Sequence, residues 1–269
     1  MLGQDLQEVL RGREVRAPDR AELDITDSAS VADAVRDVDV VINAAAYTAV
    51  DAAEEHEDAA YRVNAAGAGI LAAGAAAAGA RFVQLSTDYV FHGDATTPYP
   101  EDAPLDPLGA YGRTKAAGER LVLAAHPAPH IVRTAWLYGA HGSSFPRTML
   151  QLAAERETLS VVTDQVGQPT WTMDLATAIV ALLDARSPAG VYHGTNSGQA
   201  SWFDFARETF RLAGLDPERV RPTDTAGFAR PAPRPAYSVL GHDAWSKAGL
   251  APMREWREAL RDAVAGWVA

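Results

Sequence analysis

The chain has 269 residues, 48% of them hydrophobic and 22% charged, a formal net charge of -11 and no cysteine. That length buries a large core in one broad domain or one and a half, and the missing cysteines exclude disulfides, zinc ribbons and thiol nucleophiles. The acidic balance argues against sequence-independent nucleic-acid binding and leaves small ligands held at local basic or helix-terminal sites.

The opening "MLGQDLQEVL" (1–10) spaces Leu2, Leu6, Val9 and Leu10 as an amphipathic helix with Gly3 in its first turn. "EVRAPD" (14–19) then reads as a short strand and turn. Apolar runs follow at 37–46, 80–91 and 130–139, separated by helical patterns around 57–78 and 109–126. Continuous β-branched runs divided by helices predict parallel strands covered on both faces, so the fold class is α/β, a Rossmann-type doubly wound parallel sheet. Residues 1–140 form its dinucleotide-binding domain. Residues 141–269 form a smaller, mainly substrate-binding part, some of whose segments return to the main sheet. Helices are expected there near 144–157, 171–184, 201–213 and 254–268, with short strands at "LSVVTD" and "GVYHGTN". The loop "GFARPAPRPAYS" (227–238) is a binding loop or a crossing segment. The acidic run "EEHED" (54–58) reads as a solvated helix start rather than a metal site, because no second histidine stands at ligand spacing. The Ala/Gly run 64–80 is too weakly hydrophobic to insert in a bilayer. No basic-then-apolar export signal is visible, which fits a cytoplasmic location.

In a doubly wound sheet, ligands bind outside the carboxyl ends of the strands. One pair near such an end carries chemistry. Tyr111 and Lys115 stand four apart, on one face of a helix. The sequence holds eight tyrosines and only two lysines, so about 0.06 Tyr-x-x-x-Lys pairs are expected by chance. A cation ~4 Å from a phenol contributes up to ~4 kcal/mol at an effective dielectric of ~20, or about three pKa units. That brings a tyrosine within reach of neutral-pH proton transfer.

With "STDYVFHGD" (86–94) before them, Tyr111 and Lys115 resemble the active-site signature of the extended short-chain dehydrogenase/reductases that act on nucleotide sugars. "NAAAYTAVDAAE" (43–54), "YGRTKAAGE" (111–119), "RTAWLYG" (133–139), "DQVGQPT" (164–170) and "RPAYSVL" (234–240) extend the resemblance to the dTDP-4-dehydrorhamnose reductase family. It implies reduction of a C4 ketone on a dTDP-sugar by NADPH or NADH, in a monomer or homodimer, with no nucleic acid or membrane as partner. Thr87 would hydrogen-bond the keto oxygen and Tyr111 would deliver the proton. Lys115 would hold the nicotinamide ribose and lower the tyrosine pKa. Asp88 and Tyr89 stand where related sugar dehydratases carry an acid pair. The tyrosine in the second place favours reduction over dehydration.

The same resemblance implies that Trp136 lines the hexose pocket, with a core tryptophan as the plain alternative. Arg234 would pair with the substrate pyrophosphate, and Gln165 would lie near the substrate. On the cofactor side, Ala44, Ala45 and Ala46 would let backbone approach a dinucleotide, unless they serve ordinary helix packing. Asp24 and Ile25 would contact adenine. Asp19 beside Arg20 leaves the choice between NADPH and NADH open. The residues offer no metal motif, and metal dependence stays open. Gly3 matches only the last glycine of G-x-x-G-x-x-G. The expectation is therefore a gene product that starts upstream with a strand and a glycine turn, and weak dinucleotide binding by residues 1–269 alone. A rival reading from another class is a non-catalytic, cofactor-binding regulatory subunit like the methionine adenosyltransferase β subunit. Another is a ketoreductase or epimerase for a different nucleotide sugar.

Overall fold

The computed structural model describes residues 1–268. Its first half runs α1 (Leu2–Val9), α2 (Ser28–Ala34), β1 (Val40–Asn43), α3 (Val50–Glu55), α4 (Glu57–Tyr61), α5 (Ala68–Ala77), β2 (Arg81–Thr87), α6 (Ala110–Ala125) and β3 (His130–Thr134). The second half adds β4 (Leu137–Tyr138), α7 (Phe145–Glu155), β5 (Leu159–Val162), β6 (Val166–Gly167), β7 (Thr170–Trp171), α8 (Thr172–Asp184) and β8 (Gly190–His193). It closes with β9 (Ala200–Ser201), α9 (Trp202–Leu212), β10 (Val220–Thr223), α10 (Asp243–Lys247) and α11 (Trp256–Val268).

The main sheet is all parallel, in the order β1-β2-β3-β8. Alternation along β2 decides what each face packs against. Val83 and Leu85 point to a core shared with Leu2 and Leu6 of α1, Leu175 and Ile179 of α8 and Trp245 of α10. Phe82 points the other way, to Val31 of α2, Leu71 and Ala72 of α5 and Val122 of α6. Both faces are thus covered, as the predominantly apolar strands require. β8 comes from the second half of the chain and returns to this sheet. Around α7, α9 and α11 the remaining short strands pair as β4 with β7, β5 with β10 and β6 with β9. Among the described residues no helix is long and apolar enough to cross a membrane.

Two expectations change. Residues 14–19 form no strand; they lie exposed, with Arg13 paired to Asp184 at 2.7 Å and Arg16 donating to the Arg36 carbonyl. A strand exists only through its ladder. β1 is hydrogen-bonded on one side only, to β2, so nothing among the described residues runs beside 14–19. The helix expected over 57–78 is interrupted by a π-helical turn at Arg62–Gly67. That turn carries Asn64, whose buried amide accepts from the Tyr47 N–H at 2.8 Å and donates to the Tyr47 carbonyl and to Thr114 Oγ1. One side chain thereby ties the loop after β1 to α6.

The glycines of "YGRTKAAGE" set how close α6 lies to its neighbours. A Cβ on Gly112 would sit 2.2 Å from the Tyr89 carbonyl oxygen, and one on Gly118 2.1 Å from the Asn64 carbonyl oxygen. Alanine within an open helix gains up to about 1 kcal/mol over glycine. Here the overlap with backbone dominates, and Gly118→Ala is expected to cost about 2–3 kcal/mol. Its melting temperature should fall by about 5–10 °C, and a Tm at or above that of the wild type would show that α6 can retreat without loss.

Candidate active site

β2 ends at Thr87, where the chain turns into a single 3-10 turn, Asp88–Val90. The buried Thr87 hydroxyl caps that turn, accepting from the Tyr89 N–H at 3.2 Å and donating to Asp88 Oδ1 at 2.9 Å. Asp88 is itself buried, and its other oxygen accepts from Ser238 Oγ at 2.6 Å. This joins the end of the first strand pair to the loop that follows residue 227. Burial pushes the Asp88 carboxyl up to about 6, against the donors of Ser238, Thr87 and the Tyr89 amide.

The raised value has a sign. A carboxyl whose folded pKa exceeds its unfolded one stabilises the fold when protonated, and that contribution is lost as pH rises through about 6. Wild-type stability should therefore lose about 2 kcal/mol from this one group between pH 4 and pH 7. Asp88→Asn should abolish that part of the loss, read as the difference between the two proteins in urea unfolding at each pH. Parallel curves for the two would show that Asp88 titrates as an ordinary exposed acid.

Tyr111 is the second residue of α6. Its ring meets that of Tyr89 edge to face, with centroids 5.7 Å apart. Burial, with the Asp88 charge adding to it and the Thr87 hydroxyl opposing, pushes the Tyr111 phenol up to about 12. Lys115 lies one turn later, 4% exposed, donating to the Leu85 carbonyl of β2 at 2.6 Å. Burial brings its ammonium down to about 8, while Glu119 pulls the other way. The expected lowering of the tyrosine by the lysine is not what the geometry gives. The one hydrogen bond of the ammonium goes to a backbone carbonyl and desolvation controls the phenol, so Tyr111 keeps its proton throughout the neutral range.

The acidic run 54–58 is more than a solvated helix start. Glu54 Oε1 accepts from the Ala110 N–H at 2.8 Å, capping α6 from 56 residues away, immediately before Tyr111. Glu57 grips Arg113 of the same helix with two bonds, 2.9 and 2.7 Å. Behind the site, buried Arg133 and Glu119 pair twice, and Ser86 donates to the same carboxylate. The sequence signal for these acids was present but looked like surface charge, because their partners are remote in the chain.

The other candidates divide. Trp136 follows β3 with φ +46°, lies against Gly167, and stacks on Trp202 at 3.6 Å, half-buried among the aromatics of the second half. Arg234 pairs with Asp51 at 2.9 Å and lies 6.0 Å over the Tyr89 ring. It thus joins the Thr87, Asp88, Tyr89 and Tyr111 cluster. Gln165 is buried and donates to Thr225 Oγ1 at 3.0 Å, at the root of the 227–238 loop. Ile25 is buried against Gly67, so its side chain belongs to the core; Asp24 stays exposed and accepts from the Thr26 amide and hydroxyl. Ala44 and Ala45 are exposed directly after β1, with Ala46 half-buried beside them. A Cβ on Gly3 would meet nothing within 4 Å, and the N-terminus of α1 has no side-chain cap. Small residues at the end of β1, uncapped amides beside open space and an ammonium with donors to spare fit a dinucleotide.

A strand-end hydroxyl, a protonated, half-buried phenol and a lysine on one helix, at the carboxyl end of a parallel α/β sheet, define a reductase of the short-chain dehydrogenase type. The protein-family model described as "RmlD substrate binding domain" matches residues 1–268. The chain belongs to that family. It is 52% identical to a dTDP-4-dehydrorhamnose reductase of Streptomyces griseus, over 97% of this chain and 89% of that protein. It is equally 52% identical to a dTDP-4-keto-6-deoxy-D-glucose reductase of Streptomyces niveus, over 98% of this chain and 93% of that one. Among solved structures, a dTDP-4-dehydrorhamnose reductase from Bacillus anthracis in complex with NADP superposes with a TM-score of 0.95 at 40% identity, covering 98% of this chain and 95% of that one.

Proposed function

We propose that this protein reduces the C4 ketone of dTDP-4-dehydro-6-deoxy-L-mannose (dTDP-4-dehydrorhamnose) to give dTDP-L-rhamnose, as a cytoplasmic enzyme, monomeric or homodimeric. The observation that carries the reading is the half-buried Tyr111 phenol, held protonated by desolvation beside Thr87 at the end of β2. NADPH or NADH supplies the hydride when bound, held by Gly3, the Ala44–Ala46 segment and Lys115. This chain's own work is to orient and to protonate. Thr87 and Tyr111 hold the keto oxygen, and Tyr111 gives its proton to the oxygen as it becomes an alcohol. Arg234 takes the diphosphate of the substrate, and Trp136 with Gln165 borders the hexose. Tyr89 in place of a carboxylate leaves no base to draw a proton from the sugar ring, which supports reduction over elimination.

The equal identity to a reductase of a D-sugar ketone favours one second reading, the same chemistry on dTDP-4-keto-6-deoxy-D-glucose. Following NADPH absorbance with each sugar nucleotide side by side tests both. Turnover at least tenfold faster with the L-sugar supports the first. Preference for the D-sugar moves the substrate and keeps the reaction. No turnover with either, but tight NADPH binding, would point to a regulatory subunit.

A further inference from the structure

The loop 227–238 crosses from β10 back to the catalytic end of the sheet, and one carboxylate gathers its arginine-rich part there. Asp51, in the first turn of α3, accepts through Oδ2 from Arg230 Nη2 at 2.7 Å and Nε at 3.1 Å. Through Oδ1 it accepts from Arg234 Nη2 at 2.9 Å and from the Ala232 N–H at 3.3 Å. Two guanidinium groups and one amide, all from five consecutive residues, converge on one side chain some 180 positions earlier. Pro231, Pro233 and Pro235 alternate with those donors and fix φ at each, so the strap approaches Asp51 with little backbone freedom to lose. Ser238 fastens the far end to Asp88.

Arg234 is the member that faces the site. Its guanidinium lies over Tyr89, which packs against Tyr111, and its Nη1 is buried with no hydrogen-bond partner among the described residues. A buried guanidinium N–H without an acceptor is costly, and an incoming anionic oxygen satisfies it. Two arginines against one carboxylate leave the cluster with a net charge of +1, suited to an anionic partner. A free arginine would have to order a side chain with four rotatable bonds as the ligand binds; here Asp51 has already ordered it.

We propose that Asp51 is a positioning residue for substrate binding: it pins the strap through Arg230 and Ala232 and aims the free edge of Arg234 at the diphosphate of the sugar nucleotide. This rests on the reading of Arg234 as a diphosphate ligand, and the test separates the two. KM for the sugar nucleotide, KM for NADPH and kcat are measured for Asp51→Asn, Arg234→Gln and the double variant. Asp51→Asn is expected to raise the sugar-nucleotide KM about tenfold, leaving NADPH KM and kcat within about twofold. Arg234→Gln should raise it more, and the double variant should be no worse than Arg234→Gln alone, because both act through one guanidinium. Chymotrypsin should also cut Asp51→Asn faster after Phe228, which is 53% exposed on the strap.

An unchanged KM in Asp51→Asn beside a raised one in Arg234→Gln overturns the positioning role and keeps the ligand. Unchanged KM in both overturns the ligand reading itself. Fully multiplicative effects in the double variant also overturn the proposal, since Asp51 would then act by another route. Should Asp51→Asn fail to fold, Arg230→Gln loosens the clamp from its exposed side. It is expected to raise the same KM about threefold, and no rise overturns the proposal.

Discussion

Replacing Tyr111 by phenylalanine should lower kcat by a factor of about 10²–10⁴ while leaving NADPH affinity and melting temperature close to wild type. The substitution deletes one oxygen and keeps the ring that packs edge to face against Tyr89. The size of the effect follows from the proton balance. Ketone reduction builds negative charge on oxygen, and the product alcohol holds its proton with a pKa near ~16, similar to bulk water. A phenol at about 12 is therefore acid enough to give its proton to that oxygen. Because burial keeps Tyr111 protonated across the neutral range, the donor needs no activation before the substrate arrives. The pH profile separates this from the expected lysine-lowered phenol. With a donor at about 12, the activity of the wild type should show no basic limb from Tyr111 below pH 10. Activity of Tyr111→Phe within a few-fold of wild type would remove the proton-donor role.

What the residues disclosed in advance depended on how far away their partners lay. The β-branched runs at 40–43, 81–87 and 130–134 announced parallel strands, because a strand covered on both faces has no polar alternation to hide it. Tyr111 and Lys115 stood out for the same local reason, a rare lysine one helical turn from a tyrosine. Residues 14–19 misled because a strand is a pairing, and the partner is not written in the segment itself. Glu54 and Glu57 misled in the opposite direction, and Asp51 drew no reading of its own. Acidic residues at a helix start look solvated until helix α6 and the 227–238 strap are placed on them, 56 and about 180 residues later. Arg234 was legible as an anion ligand, but the anion it meets in this structure is Asp51. Burial set the rest. Asp88, Tyr111 and Lys115 owe their shifted acidities first to desolvation, a property of the assembled core that no spacing reveals.

Lys115 gives the sharpest separation between stability and function. Its ammonium is 4% exposed and meets one carbonyl, and burial brings its pKa from the ordinary 10.5 to about 8. For a lysine with a depressed folded pKa the protonated form is the costly one. The cost is in full force below about pH 8 and vanishes as pH rises to the unfolded value. At pH 7 that is about 3 kcal/mol against the fold, of which the bond to Leu85 returns about 1. Lys115→Met, similar in length and without charge, should therefore unfold with about 2 kcal/mol more free energy than wild type. It should nevertheless lose activity by at least about 10²-fold, with a raised NADPH KM. Lys115→Arg should lose on both counts, because a longer planar fork with five donors must fit where one ammonium meets one oxygen. On the proposed function, this cost to the fold is offset by what the lysine does at the site. If Lys115→Met gained the stability and kept the activity, the lysine would have no part in the reaction, and the Tyr111 phenol would act beside it alone.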